Sequence, residues 1–300
     1  MSAHELTALV ITAPGINCDG ELAQAFEAAG ARAERALLSA LVRDPSRIAR
    51  ADLIGLPGGF SFGDDIAAGR IMGALMRREV YPALRDAAAR GVPMICPCNG
   101  FQIAVQAGLL PGPVCGVGSS GAAGAGPART TGAADAAWPD EAAPASVALL
   151  QNQGARFVDR WTRVEIPAGT VCVWTHGLAC EAPDDMLPSA HGEGRFFTDA
   201  ATMARLESGG QVALRYSRDE NFNGSMGAVA GICDPSGVIF GLMPHPERWT
   251  RWTQHPTWTR VPAEQRQREP LGLRMFRQAV QWARTRELVP ASRVPAVARG

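Results

Sequence analysis

Val92-Pro93-Met94-Ile95-Cys96-Pro97-Cys98-Asn99-Gly100-Phe101-Gln102 is the stretch on which the fold turns. Val92 to Cys96 is a short apolar run of the kind that forms a buried strand, and Asn99 to Ala107 reads as a helix. A strand that passes into a helix within two residues is half of a parallel β-α-β unit. Upstream, Val80 to Arg90 is helical and Gly91 stops it. Further upstream, Thr7 to Thr12 is a β-branched apolar run, Glu21 to Ala29 is a helix closed by Gly30, and Asp52 to Leu56 is a second strand ending at Pro57-Gly58-Gly59. This alternation predicts an α/β fold: three αβα layers around a mainly parallel sheet with helices on both faces. Ligands in such sheets gather at the carboxyl ends of the strands.

Downstream, Thr162 to Ile166, Thr170 to Trp174, Gln211 to Tyr216 and Gly237 to Leu242 are strand-like. Leu271 to Arg284 is a closing helix, with Leu273, Phe276, Val280 and Ala283 at helical spacing. Pro111 to Ser146 is almost all Gly, Ala, Pro, Ser and Thr, and reads as a flexible surface insertion within one domain spanning residues 1–300.

The composition excludes several classes. Hydrophobic residues make up 46% and charged residues 19% of the 300, enough for a sizeable core. Lys+Arg and Asp+Glu are each 29, so there is no basic excess for a nucleic acid. All 29 basic residues are arginine, which rules out a Schiff-base lysine and a phosphate-loop lysine. The seven cysteines are odd in number and irregular in spacing, and no leader-type segment precedes them; a reducing cytoplasm is expected. No apolar run approaches a membrane span.

Three motifs carry chemistry. Cys98 stands at a strand-to-helix turn with Gly100 two places on, the layout of a nucleophile elbow. It also lies at a helix N-terminus, whose partial positive charge favours an anion; the competing reading is a buried, inert thiol. Cys96 lies inside the strand, and a Cys-x-Cys metal site would need further ligands, so no metal is expected. In Met243-Pro244-His245-Pro246-Glu247-Arg248, prolines on both sides hold the chain extended, so His245 and Glu247 project to one side. A cysteine nucleophile needs a base, and the base an orienting acceptor. In Leu56-Pro57-Gly58-Gly59-Phe60, glycines at a strand end free backbone N–H groups to face an oxyanion. Cys18 and the lone His176 read as structural, Cys18 because no histidine is near it in sequence. Trp249, Trp252 and Trp258 fit either an interface or burial under the last helix.

In this order and spacing the motifs resemble the triad-type (class I) glutamine amidotransferases. Further stretches carry the likeness: Pro14-Gly15-Ile16-Asn17-Cys18-Asp19, Gly108 to Gly112, His191-Gly192-Glu193-Gly194 and Asn223-Gly224-Ser225. Within that family they are most similar to the glutaminase components of phosphoribosylformylglycinamidine synthase, a purine-pathway enzyme. The resemblance implies that Cys98 attacks the side-chain amide of L-glutamine through a glutamyl thioester, with His245 as acid/base and Glu247 orienting it. It implies an oxyanion hole from the N–H groups of Gly59 and Asn99, and glutamine held by Gln102, His191, Gly192 and Glu193. It further implies no cofactor on this chain, ATP and Mg²⁺ on a synthase partner, and a small accessory subunit as a further component. The family usually has Gly two places before the nucleophile; here that place is Cys96. An amidotransferase serving another acceptor and a catalytically silent regulatory subunit are the alternatives.

Overall fold

The computed structural model describes residues 5–64, 66–113, 137–217 and 219–285. β1 (Thr7–Thr12) is an apolar run buried at its four central residues, and it lies between two parallel neighbours, β2 (Arg32–Leu37) and β3 (Leu53–Gly55). β4 (Met94–Pro97) pairs in parallel with β3 and with β11 (Ile239–Leu242). The sheet continues antiparallel through β10 (Val229–Cys233), β9 (Val212–Tyr216), β6 (Val158–Glu165) and β7 (Met186–His191). Its order is β2-β1-β3-β4-β11-β10-β9-β6-β7, and β5 (Val147–Leu150) pairs separately with β8 (Arg195–Thr198).

Register assigns the helices to faces. Gly55, Ile95 and Phe240 are partners across β3, β4 and β11, while Cys96 pairs with Gly241 and so points the other way. Leu22 and Phe26 of α1 (Asp19–Ala29) lie over Gly55. α1 packs on α8 (Leu271–Thr285), where Phe26 and Phe276 meet edge to face at 5.2 Å. On the opposite face, Phe101 of α6 (Asn99–Gln106) lies over Gly241. α4 (Arg70–Glu79) packs against α6, and Gly73 admits the Gln106 side chain. α2 (Leu38–Arg43), α3 (Ser46–Ala49), α5 (Tyr81–Ala89) and α7 (Ala200–Ser208) complete the helices. The expected α/β layering is present, with the parallel strands forming the half of the sheet from the β2 edge to β11.

The differences from the sequence reading have physical causes. The helix expected over Val80–Arg90 begins instead at Tyr81, after a separate helix ending at Glu79; Pro82 fits the first turn of a new helix and cannot continue an old one. Thr170–Trp174 is not a strand: Val171 and Val173 donate to Gly210 and Gly237 carbonyls from irregular backbone, and Trp174 is buried against Phe26 and Phe276. β2 and β7 carry no apolar alternation in sequence: both are edge strands, and β7 holds Pro188. Of the segment 111–146, residues 114–136 lie outside the described residues. Its last part packs on the molecule: Ala142 is buried against Gly108, and Arg85 bonds Asp140 at 2.7 Å.

Gly100 is the tightest point of the parallel half, since a Cβ there would stand 1.9 Å from the Leu56 carbonyl oxygen. Gly100→Ala is therefore expected to lower the urea-unfolding free energy by about 1–3 kcal/mol or more. Gly20→Ala, in α1 with no neighbour within 4 Å of the new methyl, is the control. It is expected to stabilise by up to about 1 kcal/mol.

Candidate active site

The chain leaves β1, β3, β4 and β11 on the same edge of the sheet, and the residues that follow each strand meet around one open pocket of about 480 Å³. That volume suits an amino-acid-sized ligand. Cys98 follows β4 and enters α6 with φ 52° and ψ −112°, a strained conformation for a non-glycine residue. Its N–H donates to Leu242 O at 2.7 Å, and its thiol donates to Ala190 O at 3.7 Å. The elbow thus forms with Cys96, not the glycine that the resemblance implies, two places before Cys98. Cys96 itself is fully buried in the strand, where burial raises its thiol far above the ordinary range.

His245 follows β11, and its N–H donates to Pro188 O at 2.7 Å. Its ring Nδ1 donates to Glu247 Oε1 at 2.6 Å, and both side chains are buried. Nε2 is buried and makes no hydrogen bond to the described residues; the Cys98 and Cys18 thiols lie beside it. Burial pushes the imidazolium down, but the Glu247 carboxylate, with Cys98 and Cys18, outweighs it and holds His245 well above its ordinary value. The turn is braced from below. Gly272 at the start of α8 lies against the carbonyls of Pro246 and Trp249, where a Cβ would approach to 2.2 and 2.4 Å. Trp249 is fully buried and meets Trp161 and Trp252 at 5.5 Å each, so of the two readings of these tryptophans burial holds for Trp249 and Trp252. Trp258 is half-buried under Arg266.

Gln102, His191, Gly192 and Glu193 all line the pocket. Gln102 is tied on both sides: its amide nitrogen donates to Glu193 O, and its oxygen accepts from Asn99 Nδ2 at 2.9 Å. Glu193 accepts from Ala68 N at 3.3 Å. His191 is buried, with Nδ1 on Asn152 Oδ1 at 3.0 Å, and lies under Gly194, which leaves room for its ring. Gly59 lines the pocket at φ +140°, crowded against Ile16 and Asn17. Asn99 lies beneath, its Oδ1 accepting from Ser61 N at 3.1 Å and so fixing the loop after Gly59. His176 is structural, its Nδ1 at 2.8 Å from Thr170 O.

Cys18 corrects the sequence reading. Read as structural for want of a histidine nearby, it stands in the pocket beside His245, a residue more than two hundred positions away. Arg248, the last residue of the Met243 to Arg248 motif, donates to its sulfur at 3.0 Å and to Glu21 at 3.0 Å. Phe60 and Phe157, about half exposed, meet at 6.4 Å with their rings tilted at the pocket rim. The Pro14-Gly15-Ile16-Asn17-Cys18-Asp19 stretch was visible in sequence; its partner across the fold was not.

Residues 5–283 match the family described as the CobB/CobQ-like glutamine amidotransferase domain. The chain belongs to that family. It is 35% identical over 285 residues, 92% of this chain and 97% of the relative, to phosphoribosylformylglycinamidine synthase subunit PurQ of Dehalococcoides mccartyi. It is 38% identical over 240 residues, 80% of this chain and 87% of the relative, to the subunit of the same name from Rubrobacter xylanophilus. Among solved structures it resembles a chain of PurLQS from Thermotoga maritima, with 27% identity, a TM-score of 0.65, and coverage of 93% of this chain and 99% of that one. This amidotransferase chain has no helix, among the described residues, long and apolar enough to cross a membrane.

The two pocket histidines are driven in opposite directions. Burial, with the charge of His245 beside it, pushes His191 down to about 3. The unfolded chain titrates near 6.5, so below about pH 6.5 unfolding takes up a proton that folded His191 refuses. Its contribution is therefore present above that pH and is lost as pH falls, at about 1.4 kcal/mol per pH unit. His191→Gln is expected to show a shallower loss of urea-unfolding free energy between about pH 6.5 and 4. Equal slopes would mean that His191 is protonated in the folded protein.

Proposed function

We infer that this amidotransferase is the glutaminase subunit of phosphoribosylformylglycinamidine synthase in purine biosynthesis. It hydrolyses L-glutamine and delivers ammonia to a synthase subunit, with a small accessory subunit as third component. The observation that carries the reading is a cysteine on a strained strand-to-helix elbow beside an imidazole whose Nδ1 is held by a carboxylate at 2.6 Å. Relatives at 35% and 38% identity bear the PurQ name along most of their length, which supports the purine-pathway assignment over another acceptor. A silent regulatory subunit would have no need to keep Cys98, His245 and Glu247 together.

In this mechanism His245 Nε2 takes the Cys98 proton, and the thiolate attacks the side-chain carbonyl of glutamine. The oxyanion faces the N–H groups of Gly59 and Asn99. His245 returns the proton to the departing nitrogen, ammonia leaves, and the γ-glutamyl thioester remains. Water, deprotonated by His245, attacks the thioester; glutamate and the Cys98 thiol are regenerated. Glu247 fixes the tautomer that leaves Nε2 facing the thiol and stabilises the imidazolium. Gln102 and the His191 to Glu193 turn shape the end of the pocket that takes the amino-acid portion. The chain uses no cofactor; ATP and Mg²⁺ belong to the synthase subunit. Each described cysteine is free, which suits a cytoplasmic setting.

Cys98→Ala is expected to lower glutamine hydrolysis by about a million-fold, the scale of a deleted covalent nucleophile. Product formation from ammonium salt in complex with the synthase should persist. Glu247→Gln is expected to lower hydrolysis about ten-thousand-fold. Glutamate release and ammonia-dependent product are the two assays. Retained turnover in Cys98→Ala, with loss in Cys96→Ala, would assign the nucleophile to the other thiol.

A further inference from the structure

The triad accounts for one thiol beside His245, but two are there. Cys18 sits where the loop after β1 enters α1, with its N–H donating to Gly58 O at 3.3 Å and its carbonyl accepting from Leu22 N at 3.0 Å. Gly58 is the spacer. A Cβ built on it would stand 2.8 Å from His245 Cε1, 3.2 Å from Cys18 Sγ and 3.3 Å from Cys98 Cβ. Three side chains from three distant stretches therefore close around the width of one absent methyl group.

Their chemistry matches. His245 Nδ1 is committed to Glu247 at 2.6 Å, which leaves Nε2 as the free ring nitrogen; it is buried and has no hydrogen-bond partner among the described residues. A carboxylate on one imidazole nitrogen with the other left to a metal is the usual outer support of a metal-bound histidine. One ligand atom each from Cys18, His245 and Glu247 lies within 4.8 Å of the others, and all three residues are buried. Glu247 occupies the Nδ1 side of the ring and serves as that outer partner; Cys98 Sγ stands outside this 4.8 Å group and supplies the second sulfur by turning about its Cα–Cβ bond, its Cβ lying 3.3 Å from the methyl built on Gly58. Cys18, Cys98 and His245 also line the pocket, so the fourth position is open to it.

We propose that Cys18 Sγ, Cys98 Sγ and His245 Nε2 form a site for a thiophilic divalent cation, zinc first among them, whose binding silences the enzyme. Two sulfurs and one imidazole nitrogen with an open fourth position form a zinc-type set. Hard cations such as Mg²⁺ and Ca²⁺ want several oxygens, which this cluster lacks. On binding, Cys18 loses its proton and the Cys98–His245 pair loses the one held on Nε2, both to solvent, and two thiolates neutralise the charge of the ion. Arg248 Nη2, donating to Cys18 Sγ at 3.0 Å, suits a thiolate there; the Cys18 thiol otherwise donates to Asn17 Oδ1 at 3.2 Å. With metal, the Cys98 sulfur and His245 Nε2 are both taken up as ligands and neither is free for glutamine. Silencing rests on the glutaminase reading; metal binding does not.

The test uses the full chain, stripped of metal and kept reduced with a phosphine. Cobalt(II) titration is expected to show one ion per chain with charge-transfer absorption from two thiolates, displaced by zinc. Zinc is expected to protect both Cys18 and Cys98 from iodoacetamide, read by peptide mass. Cys18→Ser should weaken zinc binding by at least about 100-fold, since even an outer-shell partner is worth roughly 10–100-fold. Cys96→Ser, a buried strand thiol, should leave it unchanged. Zinc should stop glutamine hydrolysis and a chelator should restore it. A one-thiolate cobalt spectrum, unprotected Cys18, or wild-type affinity in folded Cys18→Ser would overturn the site. If Cys18→Ser fails to fold, the wild-type spectrum and alkylation pattern decide. Two-thiolate binding in a chain with no glutamine hydrolysis would uphold the metal site and overturn the glutaminase reading instead.

Discussion

The chemistry of this protein depends on the contact between Gly100 and the Leu56 carbonyl. The first turn of α6 can rest on the end of β3 only because there is no side chain at residue 100. That contact lifts Cys98 above the sheet edge and sets it beside the Gly58-Gly59 turn. A second close approach, Gly272 on the carbonyls of Pro246 and Trp249, fixes the other half of the site through α8. Cys98 and His245 are thus each held by a glycine on the helix behind them, and strain at Cys98 is sustained by packing on both sides.

Electrostatics then divides the labour between neighbouring imidazoles. Both His245 and His191 are buried, but only His245 has a carboxylate at hydrogen-bond distance. Desolvation lowers both, and the Glu247 charge reverses the outcome at His245 alone. The charged ring in turn repels a proton from the other. His191 consequently serves as a neutral wedge, bonded to Asn152 and packed on Phe222, that holds the turn from which Gly192 and Glu193 reach the pocket.

Cys96 shows how a departure from a family pattern is absorbed. Its strand partner is Gly241, which carries no side chain and leaves its space to Phe101. A thiol in the place of glycine therefore fits the sheet, and the turn at Cys98 keeps its geometry.

The alternation of apolar runs with helical ones determined the α/β class, because a strand that feeds a helix within two residues has few other places to go. Cys98 in one local turn and His245 with Glu247 in another were legible for a similar reason, since each motif carries its own local physics. What lay beyond the sequence was everything set by neighbours distant along the chain. The edge strand β7 alternates in burial, but its buried positions are Leu187, Ser189 and His191, so no apolar period shows in its sequence. The Thr170–Trp174 run has strand-like composition but is drawn off by two loops and a buried tryptophan. Cys18 has no histidine near it until β1 and β11 end on the same edge of one sheet and the fold sets it against His245. Residue types and local turns could be read one stretch at a time; the joining of stretches is decided by strand order, which only the packed sheet specifies.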